Sequence, residues 1–392
     1  MNNKKKLILL LVLVALLAAA LIFVATQPKN TDVPVVTEAP TEAPTEAPTE
    51  APTEAPTEVP TEAPTEAPTE PPVLYRDPLT GEPLDAPVTS RIFAFSINNQ
   101  QQALPHVGTQ KAGIVFEMYV NTITRCLALY TDITSVDTIG AIRSMRYNFT
   151  DICQAYDAFM VHANGSKPVM QDMYAAKIDN VWVGASSKIS YRDQNRLSNG
   201  YDVEHTMMVD TKELYAYLVD KNFRVTASEE NKTYGLNFVE DGTPVDGEVA
   251  NIVNIVFTLS EKSTKLTTMT YNEELGRYVY TQYGRDGSKD DPENFENVFV
   301  IKAAVRTVSD YQIAELNGSG DGYYACNGKI IPIQWHHENE TDPFTFTHTD
   351  GTPLEQGIGN SYMAIVPLKS TVEWEYAIFT KDFPEKSRFL HI

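Results

Sequence analysis

Cysteine is scarce in this chain, and signatures of catalysis are missing from it. The three cysteines among 392 residues are Cys126, Cys153 and Cys326, and none shows C-x-x-C spacing, which argues against a zinc knuckle or a redox pair. We expect three buried thiols, with one disulfide plus one free thiol as the alternative. The sequence has no nucleophile elbow, no H-E-x-x-H and no cysteine–histidine signature. No metal or cofactor is predicted, and enzymatic activity is left open.

Positive charge is in the minority. The formal net charge is −21, from 31 Lys and Arg against 52 Asp and Glu. An acidic surface repels phosphate, which argues against general binding of nucleic acid or anionic lipid. We therefore expect no nucleic-acid partner, while a local basic pocket remains compatible with the composition.

Long apolar runs are absent except at 7–25 (LILLLVLVALLAAALIFVA), directly after the lysines of segment 1–6. A helix of this length is about 28 Å long, enough to span a hydrocarbon core of ~30 Å. The lysines should stay in the cytoplasm. The sequence therefore predicts a single-pass anchor in the cell membrane with the rest of the chain outside. A cleaved signal peptide is the alternative, although the run is longer than a usual signal core.

Residues 26–72 are predicted to form a disordered stalk. Residues 37–72 consist of nine Thr-Glu-Ala-Pro repeats with two variant positions. Proline at every fourth position prevents helix and sheet, and the regularly spaced glutamates repel one another. At ~3.1 Å per residue the repeats at 37–72 alone could hold a folded head as much as about 110 Å from the membrane.

The remaining chain is long enough for two domains. We expect an α+β fold: a mixed-sheet N-terminal domain with helices at 73–222, a mainly antiparallel β C-terminal domain at 223–370, and a tail at 371–392. In the N-terminal domain, apolar runs and capping residues predict strands at 91–97, 113–120 and 123–130 and helices at 147–157, 168–179 and 210–218.

Alternation rich in tyrosine predicts the strands of the C-terminal domain. They are expected at 251–258, 265–271, 276–283, 297–305, 329–335 and 361–367. Residues 318–322 (GSGDG) are predicted to form a loop. Trp335 is expected in the core or rim of the sheet, with stacking on a sugar ring as the alternative.

Two arginines, Arg143 and Arg146, occur in the segment 140–146 (GAIRSMR) between a predicted strand and a predicted helix start. This is a position where a fold can present cationic side chains and backbone N–H groups to an anion. The alternative is structural: the two arginines would pin the 132–157 turn to a nearby carboxylate, from Asp132, Asp137 or Asp151.

Other candidate ligand-binding residues lie close to this segment in sequence. Glu117 and Arg125 interrupt apolar strands and could face a cleft beside Arg143, or could face outward or pair with each other. His162 ends a short strand and could act as a base or a donor, although a lone histidine is more often structural. Asn98 and Asn99 open a polar turn after the first strand.

Several of these motifs resemble those of the YerB-like family of bacterial envelope proteins, a domain of unknown function in two parts. They are 96–99 (SINN), 113–117 (GIVFE), 123–125 (ITR), 140–146 (GAIRSMR), 156–157 with 162–165 (YD and HANG), and 328–335 in the C-terminal part. The resemblance implies an extracytoplasmic location and a two-part head, and it brings no established reaction. Many members look like lipoproteins, whereas this chain has an apolar span and a stalk.

The function that these features favour is binding or regulation at the cell envelope. The predicted partner is an anionic wall polymer, peptidoglycan or teichoic acid, or a wall-assembly enzyme. The alternative is a cell-wall hydrolase that uses Glu117 or Asp157 together with His162.

Overall fold

The structure, a computed structural model, describes residues 75–120, 122–229, 232–283, 285–286, 293–309 and 311–376. The predicted membrane anchor and the stalk lie outside these ranges. Among the described residues, no helix has the length and apolar character needed to cross a membrane.

Four α-helices lie in the first half of the described chain, and three of them were predicted from the sequence. Asp210 accepts a hydrogen bond from the backbone N–H of Glu213 at 3.0 Å, as expected of an N-cap. The predicted helices at 147–157, 168–179 and 210–218 are confirmed. The helices are α1 (Tyr147–Ala155), α2 (Lys167–Ala175), α3 (Gln194–Ser198) and α4 (Thr211–Asp220).

Strands make up most of the rest of the described chain. The first half contains β1 (Tyr75–Arg76), β2 (Pro83–Leu84), β3 (Phe93–Asn98), β4 (Ile114–Val120), β5 (Ile123–Tyr130), β6 (Thr138–Gly140), β7 (Phe159–His162), β8 (Asn180–Trp182), β9 (Ser190–Arg192) and β10 (Met207–Asp210).

The second half contains only strands among its regular elements in the described ranges. They are β11 (Phe238–Val239), β12 (Glu248–Val249), β13 (Ile252–Ser260), β14 (Ser263–Asn272), β15 (Arg277–Gln282), β16 (Arg285–Asp286), β17 (Asn294–Phe295), β18 (Asn297–Ala303), β19 (Val305–Val308), β20 (Tyr311–Ala314), β21 (Gly318–Cys326), β22 (Lys329–His337), β23 (Thr345–His348), β24 (Gln356–Gly357), β25 (Ser361–Pro367) and β26 (Thr371–Glu375).

An eleven-stranded mixed sheet is the centre of the fold. Its order is β12-β22-β21-β18-β25-β4-β5-β3-β7-β8, with β23 paired to β22. β25 pairs in parallel with both β18 and β4, and β7 pairs in parallel with both β3 and β8. Strands from both sides of the predicted boundary at 222/223 therefore share one sheet.

The smaller sheets cover parts of this sheet. A six-stranded antiparallel sheet has the order β16-β15-β14-β13-β26, with β17 paired to β15, and a three-stranded sheet has the order β6-β10-β9. β26 lies within the segment predicted as the C-terminal tail. The prediction of an α+β fold is confirmed in its coarse form: a mostly-sheet protein with few helices, in which the largest sheet is mixed and the six-stranded sheet is antiparallel.

Alternation along the central strands produces two hydrophobic clusters, one on each face of the large sheet. On β5, Cys126 and Ala128 belong to the cluster that includes the six-stranded sheet, whereas Leu127 and Leu129 belong to the cluster that includes α1 and α2. Both clusters contain residues from both halves of the chain, and the described residues between 75 and 376 belong to one compact unit. The three cysteines are free and buried, as expected.

One local prediction is wrong. Residues 318–322 are the first part of β21, not a loop, because each of them pairs with a residue of β22 between 333 and 337. A Cβ on Gly320 would lie 2.8 Å from Nε1 of Trp335, so the glycine makes room for the indole. Trp335 is buried and donates to the Lys302 carbonyl, which confirms its expected place in the sheet core.

Candidate functional site

The segment 140–146 crosses one edge of the large sheet, where the parallel strands β3 and β7 end. The Arg143 backbone N–H donates to the Ser96 carbonyl at 2.8 Å, and the Arg143 carbonyl accepts from the Ala163 N–H at 2.9 Å. The segment is thus held on both sides by the strand ends. The carboxyl ends of parallel strands are a common location for ligand sites.

Arg125 is the most unusual side chain at this edge. It lies on β5 with 1 % of its surface exposed, and no described residue accepts a hydrogen bond from its Nε or Nη1 atom. Burial lowers the pKa of its guanidinium well below the usual value, and the charges of Arg146 and Arg143 lower it further. Arginine keeps its proton in proteins, so Arg125 is a buried cation whose charge is repelled by Arg143 and Arg146.

Arg143 and Arg146 complete a cluster that we call the arginine site: Arg125, Arg143 and Arg146. Arg143 forms an ion pair with Glu204 at 2.9 Å. Arg146 is half-buried and donates from Nη1 to the Met145 carbonyl at 2.8 Å. Its pKa is lowered by burial and by Arg143. Arg146 is also the N-cap residue of α1, whose N-terminus has no side-chain cap.

The carboxylates named in the structural alternative have other partners. Asp132 accepts from its own turn at Thr134, Asp137 pairs with Lys212 at 2.7 Å, and Asp151 accepts from Asn148 at 3.1 Å. In the described ranges, none of the three pairs with Arg143 or Arg146. That form of the structural alternative is therefore wrong.

Glu204 lies on a 3₁₀ turn (Val203–His205) that the sequence analysis did not single out. The Asn98 side chain holds this turn by donating from Nδ2 to His205 Nδ1 at 2.8 Å and to the Glu204 carbonyl at 3.3 Å. Arg196 donates to the His205 carbonyl from the other side at 3.1 Å. Asn98 therefore positions the counter-ion of Arg143.

Glu117 is not near Arg143, and it neither faces outward nor pairs with Arg125. It is fully buried on the opposite face of the sheet, where its Oε1 atom lies 2.5 Å from Nζ of Lys265 on β14. Residues 117 and 125 are offset by one position in the β4–β5 register, so their side chains leave the sheet on opposite sides. The expectations for the Glu117 side chain are therefore wrong.

A buried hydrogen-bond network surrounds the Glu117 carboxylate. Tyr362, Tyr280 and Thr267 donate to its Oε2 atom, and Asn99 donates to Oε1 at 3.0 Å. Burial opposes ionisation, but the charge of Lys265 and the hydrogen bonds from Lys265, Thr124 and Tyr362 outweigh it, so the pKa of Glu117 is lowered. Asn99 therefore belongs to this network and not to the arginine site.

His162 and Asp157 lie at opposite ends of β7. His162 is buried between Asn180 and the Asn164 carbonyl, and burial lowers its pKa. Asp157 pairs with Arg91 and Arg224. The structure does not bring His162 together with Asp157 or Glu117 into an acid–base pair.

A cavity of about 350 Å³ opens beside Arg143. Trp182, at the end of β8, has 51 % of its surface exposed here. Arg192 lies near enough to Arg143 for the two charges to interact, and its Nη1 atom donates to the Val203 carbonyl. The cavity thus combines two cations, one carboxylate and one exposed indole.

Comparison with known proteins agrees with this architecture. Two family models match, the N-terminal domain of a protein of unknown function (DUF3048) at 79–224 and the C-terminal domain of the same family at 254–363. The chain belongs to this family.

A relative and a solved structure extend the match. The chain is 23 % identical over 314 residues to a Bacillus subtilis protein named "Putative lipoprotein YerB", covering 74 % of this chain and 86 % of the relative. It also matches a crystal structure of the YerB protein from Bacillus subtilis with a TM-score of 0.65 and 20 % identity, covering 76 % of this chain and 99 % of that chain. The resemblance to the YerB-like family is confirmed.

Sequence reasoning missed Glu204, Trp182, Arg192 and Lys265. The first three lie on a short turn or at the ends of short strands, where local patterns carry little information. Lys265 begins the predicted strand 265–271, but there the sequence favours burial of Leu266, whereas Leu266 is exposed and Lys265 is buried. Lys265 lies in the part matched by the C-terminal model and Glu117 in the part matched by the N-terminal model, so their ion pair joins the two parts of the DUF3048 fold.

Proposed function

We propose that this chain is a membrane-anchored protein of the bacterial cell envelope whose folded head binds an anionic ligand at the arginine site. The name of the Bacillus subtilis relative, a lipoprotein, supports attachment to a membrane. In this chain the apolar segment 7–25 would provide the anchor and the repeats at 37–72 the spacer.

One observation carries the binding proposal: the buried guanidinium of Arg125. A buried charge without a partner is strongly destabilising, so buried ions are normally paired. Arg125 has no ion-pair partner in the described chain. The charges of Arg146 and Arg143 disfavour its protonated form more than the charge of Glu204 favours it. A bound carboxylate or phosphate would offset this repulsion and accept the hydrogen bonds of the Arg125 Nε and Nη1 atoms.

The ligand class follows from the setting of the head. Outside the membrane, the polymers with abundant carboxylates and phosphates are peptidoglycan and teichoic acid. Their fragments are the first candidates, and an acidic surface of a wall-assembly enzyme is another. Binding is favoured over hydrolysis because Glu117, Asp157 and His162 lie apart and are each occupied by structural contacts.

Isothermal titration of the full-length protein tests the proposal. Inorganic phosphate, muropeptides and teichoic-acid fragments would be titrated into wild type and into an Arg143→Gln/Arg146→Gln variant. We expect binding of at least one anion to wild type and a loss of about tenfold or more in affinity in the variant. Arg224→Gln is the matched control, because Arg224 is a partly exposed arginine at the other end of β7.

Two results would contradict the proposal. One is an absence of binding by wild type to every anion tested. The other is equal affinity in the double variant and in wild type. Release of soluble fragments from purified cell walls by wild type would instead favour the hydrolase.

A further inference from the structure

The cavity beside Arg143 is lined by apolar side chains as well as charged ones, and a simple anion would need only the charged ones. Six residues that contact it matter here: Arg143, Arg192, Trp182, Glu204, Ile142 and Met207. At about 350 Å³ it is large enough for a small ring compound. Its charged groups lie beside an apolar wall, a combination typical of sites for a ligand with one ionic and one apolar part.

Glu204 occupies the position that an acidic ligand would take. Its Oε1 atom lies 2.9 Å from Nη2 of Arg143, and its side chain is 48 % exposed. An ion pair this exposed contributes little to stability, so a ligand anion could displace it at low cost. The backbone of the turn would stay in place, since Asn98 and Arg192 hold its carbonyl groups.

Trp182 provides an apolar surface beside the charged groups of the cavity. Its indole is half-exposed although it is among the largest apolar side chains of the fold. A Cβ on Gly184 would lie 2.4 Å from the Trp182 ring, so the glycine allows the indole to lie across the backbone. The indole face carries partial negative charge and attracts the polarised C–H groups of a pyranose ring.

We propose that the cavity binds an acidic sugar, whose carboxylate or phosphate displaces Glu204 from Arg143 while the pyranose ring stacks on Trp182. The proposal rests on the proposed function, because it uses Arg143 of the arginine site. It adds a substrate class, a ring-binding residue and an internal carboxylate that competes with the ligand.

The test is a set of titrations of full-length protein with four probes: glucose, inorganic phosphate, glucose 6-phosphate and glucuronic acid. The last two distinguish a phosphate-bearing from a carboxylate-bearing polymer as the source of the ligand. Wild type should bind at least one acidic sugar about tenfold more tightly than it binds phosphate, and should bind glucose weakest.

Two variants test the ring-binding part and the anion-binding part of the site separately. Trp182→Ala should lower affinity for the preferred acidic sugar about tenfold and leave the affinity for phosphate unchanged. Glu204→Gln should raise affinity for all three anions. The controls are Tyr174→Ala, an exposed aromatic on α2, and Asp202→Asn, which removes the same charge two residues from Glu204 outside the cavity lining. Both controls should resemble wild type.

The outcomes separate this proposal from the proposed function. Phosphate binding that matches acidic-sugar binding, with no effect of Trp182→Ala, would overturn the sugar site and leave the arginine site standing. No binding of any anion, even by Glu204→Gln, would overturn both. Equal effects of Glu204→Gln and Asp202→Asn would overturn the competition by Glu204, since a general field effect would then explain the change.

Discussion

Lys265 and Glu117 are opposite charges held entirely away from water. Both side chains are at most 1 % exposed, and the Lys265 Nζ atom also lies 5.4 Å from the centre of the Phe257 ring. Losing one partner of such a pair is costly because the remaining charge stays buried. The pair therefore acts as a charged link between the six-stranded sheet and the large sheet.

Lys265→Met should lower the free energy of unfolding by roughly 3–5 kcal/mol. Urea unfolding of the full-length protein measures the loss. Adding Glu117→Gln to this variant removes the stranded charge while keeping an acceptor for the tyrosine hydroxyls, so the double variant should recover about 2 kcal/mol or more. A double variant less stable than Lys265→Met would refute this account of the pair.

The buried carboxyl group of Asp151 on α1 should make the free energy of unfolding depend on pH. Burial raises the pKa of this carboxyl to about 6, the Asn148 hydrogen bond opposes the shift, and the carboxylates of Asp172 and Glu340 add to it. The folded pKa lies above the unfolded value, so as pH rises above ~4 the unfolded state ionises first and the folded state is progressively destabilised up to about pH 6.

Asp151→Asn should therefore have little effect on unfolding at pH 4 and should raise the free energy of unfolding by roughly 2 kcal/mol at pH 8. Paired urea titrations at the two pH values measure the difference. The same change in stability at both pH values would show that the carboxyl titrates normally.

At the scale of elements, the arginine site depends on how the segment 140–146 fits between strands. Gly140 is the last residue of β6 and pairs with Met208 of β10. A Cβ on Gly140 would lie 2.3 Å from the Met208 Sδ atom and 2.9 Å from the Met207 carbonyl oxygen. Backbone on the partner strand cannot move as readily as a side chain, so this position requires glycine.

Gly140→Ala should force β6 and β10 apart and shift the arginines that follow. We expect a loss of about 1–3 kcal/mol in the free energy of unfolding, together with weaker anion binding. Calorimetric melting and phosphate titration measure the two effects. The control is Gly165→Ala, where the closest atom is the flexible Met170 Sδ at 3.0 Å and the effect should be small. Equal melting temperatures of Gly140→Ala and wild type would contradict the argument.

The bounds of single helices and strands could be predicted from the sequence, whereas their arrangement in the sheet could not. The start of α4 followed from Asp210, and the ends of β25 followed from an apolar run at 361–367, because caps and alternation are local signals. The order of strands was not predictable in this way. β25 lies between β18 and β4 in the sheet, and no local pattern encodes that pairing.

At the scale of the whole molecule, the arginine site was partly predictable. The spacing of Arg143 and Arg146 before a helix start pointed to an anion, and Arg125 was a candidate as a charge inside an apolar strand. Glu117 was misplaced because its partner Lys265 is 148 residues away in sequence. The face of the sheet on which each charge lies depends on contacts between residues far apart in sequence. Such contacts cannot be predicted from local sequence patterns.

We propose that the buried cation Arg125 pairs with a bound anion, and Arg91 provides the matched comparison. Arg91 is also a buried arginine, but it pairs with Asp179 at 2.6 Å and with Asp157 at 3.3 Å. Replacing an unpaired buried charge by an apolar side chain relieves repulsion, whereas replacing a paired one strands its partners. The two substitutions should therefore change stability in opposite directions.

The most direct measurement is thermal unfolding of full-length wild type, Arg125→Met and Arg91→Met, each with and without the anion that wild type binds most tightly. At a hundredfold excess over its dissociation constant, the anion should add about 2.7 kcal/mol to wild type, a shift of a few degrees. Arg125→Met should melt at or above wild type without anion and lose the shift, while Arg91→Met should melt lower and keep it. An Arg125→Met variant that melts well below wild type without anion and still responds to it fully would contradict the account.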